Sequence, residues 1–144
     1  MVFRLLSLLL LISTLSKASG IGPDEPNIVV IGNKTTYHYS SIKNIREIFR
    51  GKYALWPNGI SVTVVLPAPK SEDAEEIAKY LYNNTAVWMQ KYWLSLVFQG
   101  RSNPPIFLDT DQEIIDYVKK TEGAIGILKT DTRKIPEPLL IHLQ

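Results

Sequence analysis

The chain contains no cysteine and only two histidines, His38 and His142. Without thiols it forms no disulfide, thiolate metal site or iron–sulfur cluster, and it has no cysteine nucleophile. Two isolated histidines do not make a multi-histidine metal site. We predict that His38 lies in a solvated loop, and that His142 lies on the solvent face of an edge strand because it alternates with apolar neighbours.

The motifs of common enzymes are also missing. There is no glycine-rich phosphate loop and no Gly-x-Ser-x-Gly elbow, and neither histidine has a serine and a carboxylate at recognisable spacing. The acidic residues over 72–76 fall in the first turn of a predicted helix, where the helix dipole favours negative charge. The sequence therefore predicts a non-enzymatic protein without a cofactor.

Neither sign of charge is in large excess. The 144 residues include 16 Lys and Arg and 14 Asp and Glu. Arg4 and Lys17 lie in a segment that we expect to be removed, which leaves 14 basic and 14 acidic residues and a net charge of zero. This balance gives no electrostatic reason to expect binding to nucleic acid or to an anionic membrane.

Residues 1–18 have the order of a secretory signal peptide. A basic start precedes an apolar run over residues 5–12, and small polar residues follow. Cleavage is predicted between Ala18 and Ser19, because Ser16 and Ala18 are both small. The apolar run is shorter than the ~20 residues that span a bilayer, so no membrane insertion is predicted after cleavage.

The remaining chain is predicted to hold a linker over residues 19–26 and one domain over residues 27–144. An exported chain that uses no disulfide is typical of a bacterial periplasm. We find no internal repeat and no low-complexity tract in the domain. The predicted localisation is therefore periplasmic.

Strand and helix patterns alternate along the domain. Strands are predicted at residues 28–31, 60–66, 124–128 and 139–143, and helices after the capping residues Ser41, Ser71, Thr85 and Thr110. This alternation predicts an α/β fold, with a mixed sheet flanked by helices on both faces. Ligand sites are expected beyond the carboxyl ends of the strands.

The junction from Leu66 to Asp73 is the best candidate for a binding site. A central strand ends here and a helix begins, so free backbone N–H groups at residues 71–73 are expected beside the Ser71 hydroxyl and the Lys70 ammonium. Such groups hold small anions, and phosphate is one example. The alternative is a plain capped helix, because the carboxylates of Glu72 and Asp73 would repel an anion.

The aromatic residues Trp88, Tyr92 and Trp93 could stack on a sugar or a base. Their helical spacing favours packing in the core instead. Trp56 lies in a predicted turn, where we interpret it as a plug over the core rather than a binding platform.

Three groups of motifs, taken in order, carry a resemblance to a known family. They are Ile48-Phe49-Arg50-Gly51-Lys52 with Leu55-Trp56-Pro57-Asn58-Gly59, then Tyr92-Trp93 with Phe98-Gln99-Gly100 and Pro104-Pro105, then Glu122-Gly123-Ala124-Ile125-Gly126-Ile127. In this order they resemble the PstS-like, phosphate-binding members of the type 2 periplasmic binding protein superfamily, which are substrate-binding proteins of phosphate ABC transporters. The resemblance covers residues 28–128, most of the predicted domain.

The resemblance implies a single three-layer lobe of the type 2 periplasmic binding protein fold. Family members are two-lobed clamps of about twice this length, and this chain looks like their second lobe. That lobe contributes an Arg and a Ser-Gly-Thr run to the phosphate site. In the matching stretch here only Ser71 fits the pattern, the Arg is absent, and Lys70 is a partial substitute.

Two functions follow as alternatives. The first is an exported binding module that takes a small anion such as phosphate and works with a membrane transporter or sensor protein. The second is an interaction or sensory subunit of a membrane complex that keeps the fold without binding phosphate. A single lobe cannot enclose a ligand by hinge closure, so any site in it must be shallow, shared or completed by a partner.

Overall fold

The computed structural model describes residues 27–37 and 39–144. The predicted signal peptide, the cleavage site between Ala18 and Ser19, the linker and His38 all lie outside the described residues.

Strands and helices alternate through the described residues. The strands are β1 (Asn27–Gly32), β2 (Tyr39–Ser40), β3 (Thr63–Pro67), β4 (Ile106–Leu108), β5 (Ala124–Thr130) and β6 (Leu140–Leu143). The α-helices are α1 (Ile42–Phe49), α2 (Ala74–Tyr82), α3 (Ala86–Phe98) and α4 (Asp111–Lys120), and two short 3-10 turns follow β5 at Thr132–Lys134 and Glu137–Leu139.

The strands form one mixed sheet in the order β2-β6-β1-β5-β3-β4. Strand β3 runs parallel to β4 and β5, whereas β1 runs antiparallel to β5 and β6. His142 is exposed and lies 3.3 Å from the Glu137 carboxylate. The prediction of an edge strand for His142 is wrong, because the two-residue strand β2 pairs with β6 on its outer side.

Helices cover both faces of the sheet, which confirms the predicted three-layer α/β architecture. On one face Ile45 of α1, Ile77 of α2 and Trp93 of α3 pack in a single buried cluster. On the other face Ile114 and Val118 of α4 belong to a second buried cluster. The sheet is therefore shielded from water on both sides, as the near-continuous apolar run of β1 predicts.

The capping residues account for most of the helix starts. Ser41 and Thr85 each accept a hydrogen bond from the backbone N–H three residues later, and Thr110 forms a complete capping box with Glu113. These three predictions are confirmed. The strand predicted at residues 60–66 begins only at Thr63, and before it Ser61 forms an isolated antiparallel bridge to Leu55.

Trp93 is buried, as predicted, and takes part in a short chain of hydrogen bonds. Its indole Nε1 donates to the Tyr82 hydroxyl at 2.9 Å, and that hydroxyl donates to the Phe49 carbonyl at 2.5 Å. Burial raises the pKa of Tyr82 well above its ordinary value, so the phenol stays protonated. The core prediction is wrong for Trp88, whose indole is 38% exposed and stacks on Tyr92 instead.

Gly123 directly precedes β5, and its hydrogen bonds connect the turn that contains Trp56 to the start of β3 and to the end of β1. Its carbonyl accepts hydrogen bonds from Trp56 Nε1 at 2.8 Å and from the N–H of Thr63 at 3.1 Å. Its own N–H donates to the Asn33 carbonyl at 2.7 Å. Trp56 is only 3% exposed, which confirms that it plugs the core.

Replacing Gly123 with Ala is expected to destabilise the protein by about 3 kcal/mol or more. Gly123 has φ +81°, and an added Cβ would lie 2.2 Å from the Ser61 carbonyl oxygen. Gly59→Ala is the matched control, since Gly59 has φ +84° with nothing within 4 Å of an added Cβ. It should lose only the ~1–2 kcal/mol of the left-handed backbone. Urea unfolding measures both variants, and equal losses would contradict the role given to the close contact.

Candidate functional site

The candidate site lies where β3 and β4 end. The two strands are parallel neighbours, with Leu66 opposite Phe107 and Pro67 opposite Leu108. The N–H of Ala68 continues the pairing by donating to the Leu108 carbonyl at 2.7 Å. Because both carboxyl ends meet at one edge of the sheet, the starts of α2 and α4 lie side by side there.

A cleft of about 340 Å³ separates these two helix starts. Its lining comes from both strand-to-helix junctions: Pro67, Ser71, Glu72, Asp73, Asp109, Thr110, Asp111, Gln112 and Ile114. The wall made by residues 66–73 was predictable from the sequence, whereas the wall made by residues 109–112 was not predicted. The sequence signal for the second wall is the apolar triplet Ile106–Leu108, which follows two prolines. This triplet is too short to give a periodic strand pattern.

Ser71 lies in the cleft but does not cap α2. The helix begins at Ala74 with Asp73 as its N-cap residue, so the predicted capping role of Ser71 is wrong. The N–H of Ser71, which was expected to be free, donates to the Ala68 carbonyl at 2.8 Å in a tight turn. Among the described residues, the buried Ser71 Oγ has no hydrogen-bond partner.

Lys70 is exposed and is not among the residues that line the cleft. The structure therefore separates the two side chains that the sequence proposed together for an anion. Lys129 of β5 does interact electrostatically with Asp73, and its ammonium also pairs with Glu76 at 2.7 Å. The positive charge at this edge of the sheet is thus engaged by carboxylates.

The cleft is acidic. Four carboxylates line it, from Glu72, Asp73, Asp109 and Asp111. Burial raises the pKa of Asp73, and Lys129 opposes this increase while Glu72 and Glu76 add to it. Burial also raises the pKa of Asp111, and the charge of Asp73 raises it further. Carboxylates whose charges already repel one another form a poor receptor for phosphate.

The amino end of α4 is occupied by the chain itself. The Thr110 hydroxyl accepts from the Glu113 N–H at 3.2 Å, and the Glu113 carboxylate accepts from the N–H groups of Asp109 and Thr110, both at 3.0 Å. A side-chain carboxylate thus takes the place that an external anion would take at this helix end.

The described residues contain no group of three or more His, Cys, Asp or Glu side chains that could hold a metal ion. The cleft carboxylates therefore form an acidic surface without the geometry of a metal centre.

No helix in the described part of the chain is long and apolar enough to cross a membrane.

Comparison with known proteins gives matches among solved structures only. No family model and no curated protein matches the sequence. An ABC-type phosphate transport receptor from Vibrio cholerae aligns with a TM-score of 0.53 and 10% identity, over 84% of this chain and 47% of that one. PstS from Borrelia burgdorferi aligns with a TM-score of 0.58 and 11% identity, over 84% and 48%.

A third match is a phosphate ABC transporter substrate-binding protein with bound phosphate from Clostridium perfringens. It aligns with a TM-score of 0.51 and 14% identity, over 83% of this chain and 45% of that one. The chain thus spans about half the length of the solved structures that it matches. At these identities the likeness shows the fold alone, which is the α/β fold found in these periplasmic binding proteins.

The raised pKa of Asp111 predicts how stability depends on pH. A carboxyl whose pKa is higher in the folded than in the unfolded state loses stabilising free energy as the pH rises through that range. Asp111→Asn should therefore gain stability relative to the wild type as the pH rises above the ordinary aspartate pKa of about 4. Thermal unfolding at several pH values measures the difference.

Asp131→Asn is the control with the opposite sign. A hydrogen bond from Arg133 lowers the pKa of Asp131 to about 2, so Asp131 stabilises the folded protein above its unfolded pKa and loses this effect as the pH falls. Asp131→Asn should therefore lose stability relative to the wild type as the pH rises from about 2 to about 4. If the stabilities of both variants changed with pH in the same direction relative to the wild type, the opposite pKa shifts of Asp111 and Asp131 would be contradicted.

Proposed function

We propose that this protein is an exported, non-enzymatic binding module that has the fold of periplasmic substrate-binding proteins and works with a membrane transporter or sensor protein. Its role is to contact that partner, and it does not hold phosphate as an independent receptor. The observation that carries the proposal is the acidic cleft, which lies where the fold brings two helix starts together.

The balance of interactions supports the absence of tight phosphate binding. An exposed helix amino end favours an anion by ~0.3–1 kcal/mol. A hydrogen bond to a charged group, of the kind that an arginine would supply, contributes ~1.5–3 kcal/mol. No arginine lines this cleft, and four carboxylates do. The helix dipole is too weak to offset both effects.

A second candidate function rests on Ser71. Its buried Oγ has no partner among the described residues, and Ser71 lines a cleft large enough for a small ligand. A small anion held by Ser71, with Lys70 moving inward to neutralise it, would make this chain a weak phosphate receptor. The same experiment distinguishes the two functions.

Titration calorimetry with inorganic phosphate at neutral pH is expected to give no binding at micromolar concentrations. The charge-removing variant Glu72→Gln with Asp73→Asn should increase any residual phosphate affinity, because it removes repulsion from one wall. Ser71→Ala is the control for the second candidate. A micromolar dissociation constant that Ser71→Ala abolishes would establish phosphate binding at this site and overturn the proposal.

Export is expected to remove residues 1–18. Intact-mass measurement on protein recovered from a bacterial periplasm should give an amino terminus at Ser19, because Ser16 and Ala18 provide the small side chains of the cleavage site. Ala18→Arg is the matched variant, since a large charged side chain at this position should block processing. A cytoplasmic protein that retains Met1 would contradict the exported location.

A further inference from the structure

The outer face of α3 exposes several large apolar side chains to water, beside the polar Gln90 and Ser95. Ala86, Met89, Trp93 and Leu96 on the inner face are buried in the core. On the outer face Val87 is 52% exposed, Leu94 49% and Phe98 86%. A surface helix normally carries mostly polar residues on its solvent side, so this face is a candidate contact surface.

Three exposed apolar residues and one lysine share a line along the helix. Val87, Lys91, Leu94 and Phe98 recur at intervals of four, three and four residues, which places them along one line of the helix surface. We call these four residues the α3 stripe. Beside it Trp88 and Tyr92 stack with 5.1 Å between ring centroids and an angle of 13° between ring planes.

The segment of sequence that contains α3 carries charge of one sign. Between Glu76 and Asp109 there is no Asp or Glu, whereas Lys79, Lys91 and Arg101 occur there. The Glu75 carboxylate reaches the amino end of α3, where it accepts a hydrogen bond from the Ala86 N–H. The net charge of residues 19–144 is zero, but the charged side chains of residues 77–108 are all basic.

We infer that the α3 stripe docks on an anionic lipid surface as a peripheral contact. Exposed Phe and Leu side chains, a tryptophan with a stacked tyrosine, and a lysine on a helix that itself carries no Asp or Glu are features that favour the interface of anionic bilayers. The acidic cleft is lined by residues from 67–73 and 109–114, so the cleft and the α3 stripe share no residue.

Lys91 favours lipid over a second copy of this chain. A dimer formed through the α3 stripe would bury the Lys91 ammonium groups of both copies without a carboxylate from the same stripes, which is costly. At a bilayer surface the lysine stem can extend along the apolar side chains while the ammonium reaches a lipid phosphate. One residue thus satisfies both the apolar and the charged parts of the lipid interface.

The test is co-flotation of the full chain, purified after export, with vesicles of equal parts phosphatidylcholine and phosphatidylglycerol. Binding is expected, and it should weaken in high salt and on vesicles of phosphatidylcholine alone. Leu94→Ser with Phe98→Ser should reduce the partition coefficient about tenfold or more. Lys91→Glu should reduce it on the anionic vesicles. Leu55→Ser is the matched control, because Leu55 is 59% exposed but lies outside α3.

A second measurement reports on α3 directly. Trp56 and Trp93 are 3% and 1% exposed, whereas Trp88 is 38% exposed, so brominated lipids should quench Trp88 selectively. This quenching should disappear in Trp88→Phe. Equal vesicle binding by the stripe variants and by Leu55→Ser would overturn the inference. Quenching that is unchanged in Trp88→Phe would also overturn it. So would a stripe-dependent dimer that ignores vesicles, or a complete absence of binding, whatever the result of the phosphate titration.

Discussion

The peptide at Gly123 holds several distant parts of this domain in place. Its carbonyl fixes the Trp56 indole and the start of β3, and its N–H fixes the chain just after β1. A left-handed backbone with no room for a side chain is the condition for these contacts. Because β3 leads directly to the cleft, the geometry of the candidate site depends on a glycine at the opposite end of that strand.

The cleft illustrates how far local patterns carry a functional prediction. The sequence analysis correctly located the end of a central strand, and the capping signals at Ser41, Thr85 and Thr110 correctly marked three helix starts. It could not foresee that the Ser71 N–H would close a turn on Ala68, since that depends on the exact length of the loop. Nor could it see the facing carboxylates, because they come from a segment that follows a three-residue strand.

The aromatic residues of α3 show a related limit. Helical spacing correctly placed Trp93 in the core, where Tyr82 accepts its indole hydrogen bond. The same spacing assigned Trp88 to the core, but that residue lies on the exposed side. A helix with large apolar residues on both sides gives a weak periodic signal for which side faces inward, so the packing of α2 against α3 decides it. Total charge has the same weakness, because it averages an acidic edge of the sheet with a basic segment.

The placement of β1 has a consequence for the timing of folding. This strand lies between β5 and β6, so the earliest strand of the domain finds both its neighbours about a hundred residues later in the chain. Pairings of such long sequence separation form slowly, because a large loop must close before the contacts are made. During synthesis β1 emerges long before either neighbour exists. The central part of this sheet therefore cannot be completed until nearly all of the described domain has been synthesised.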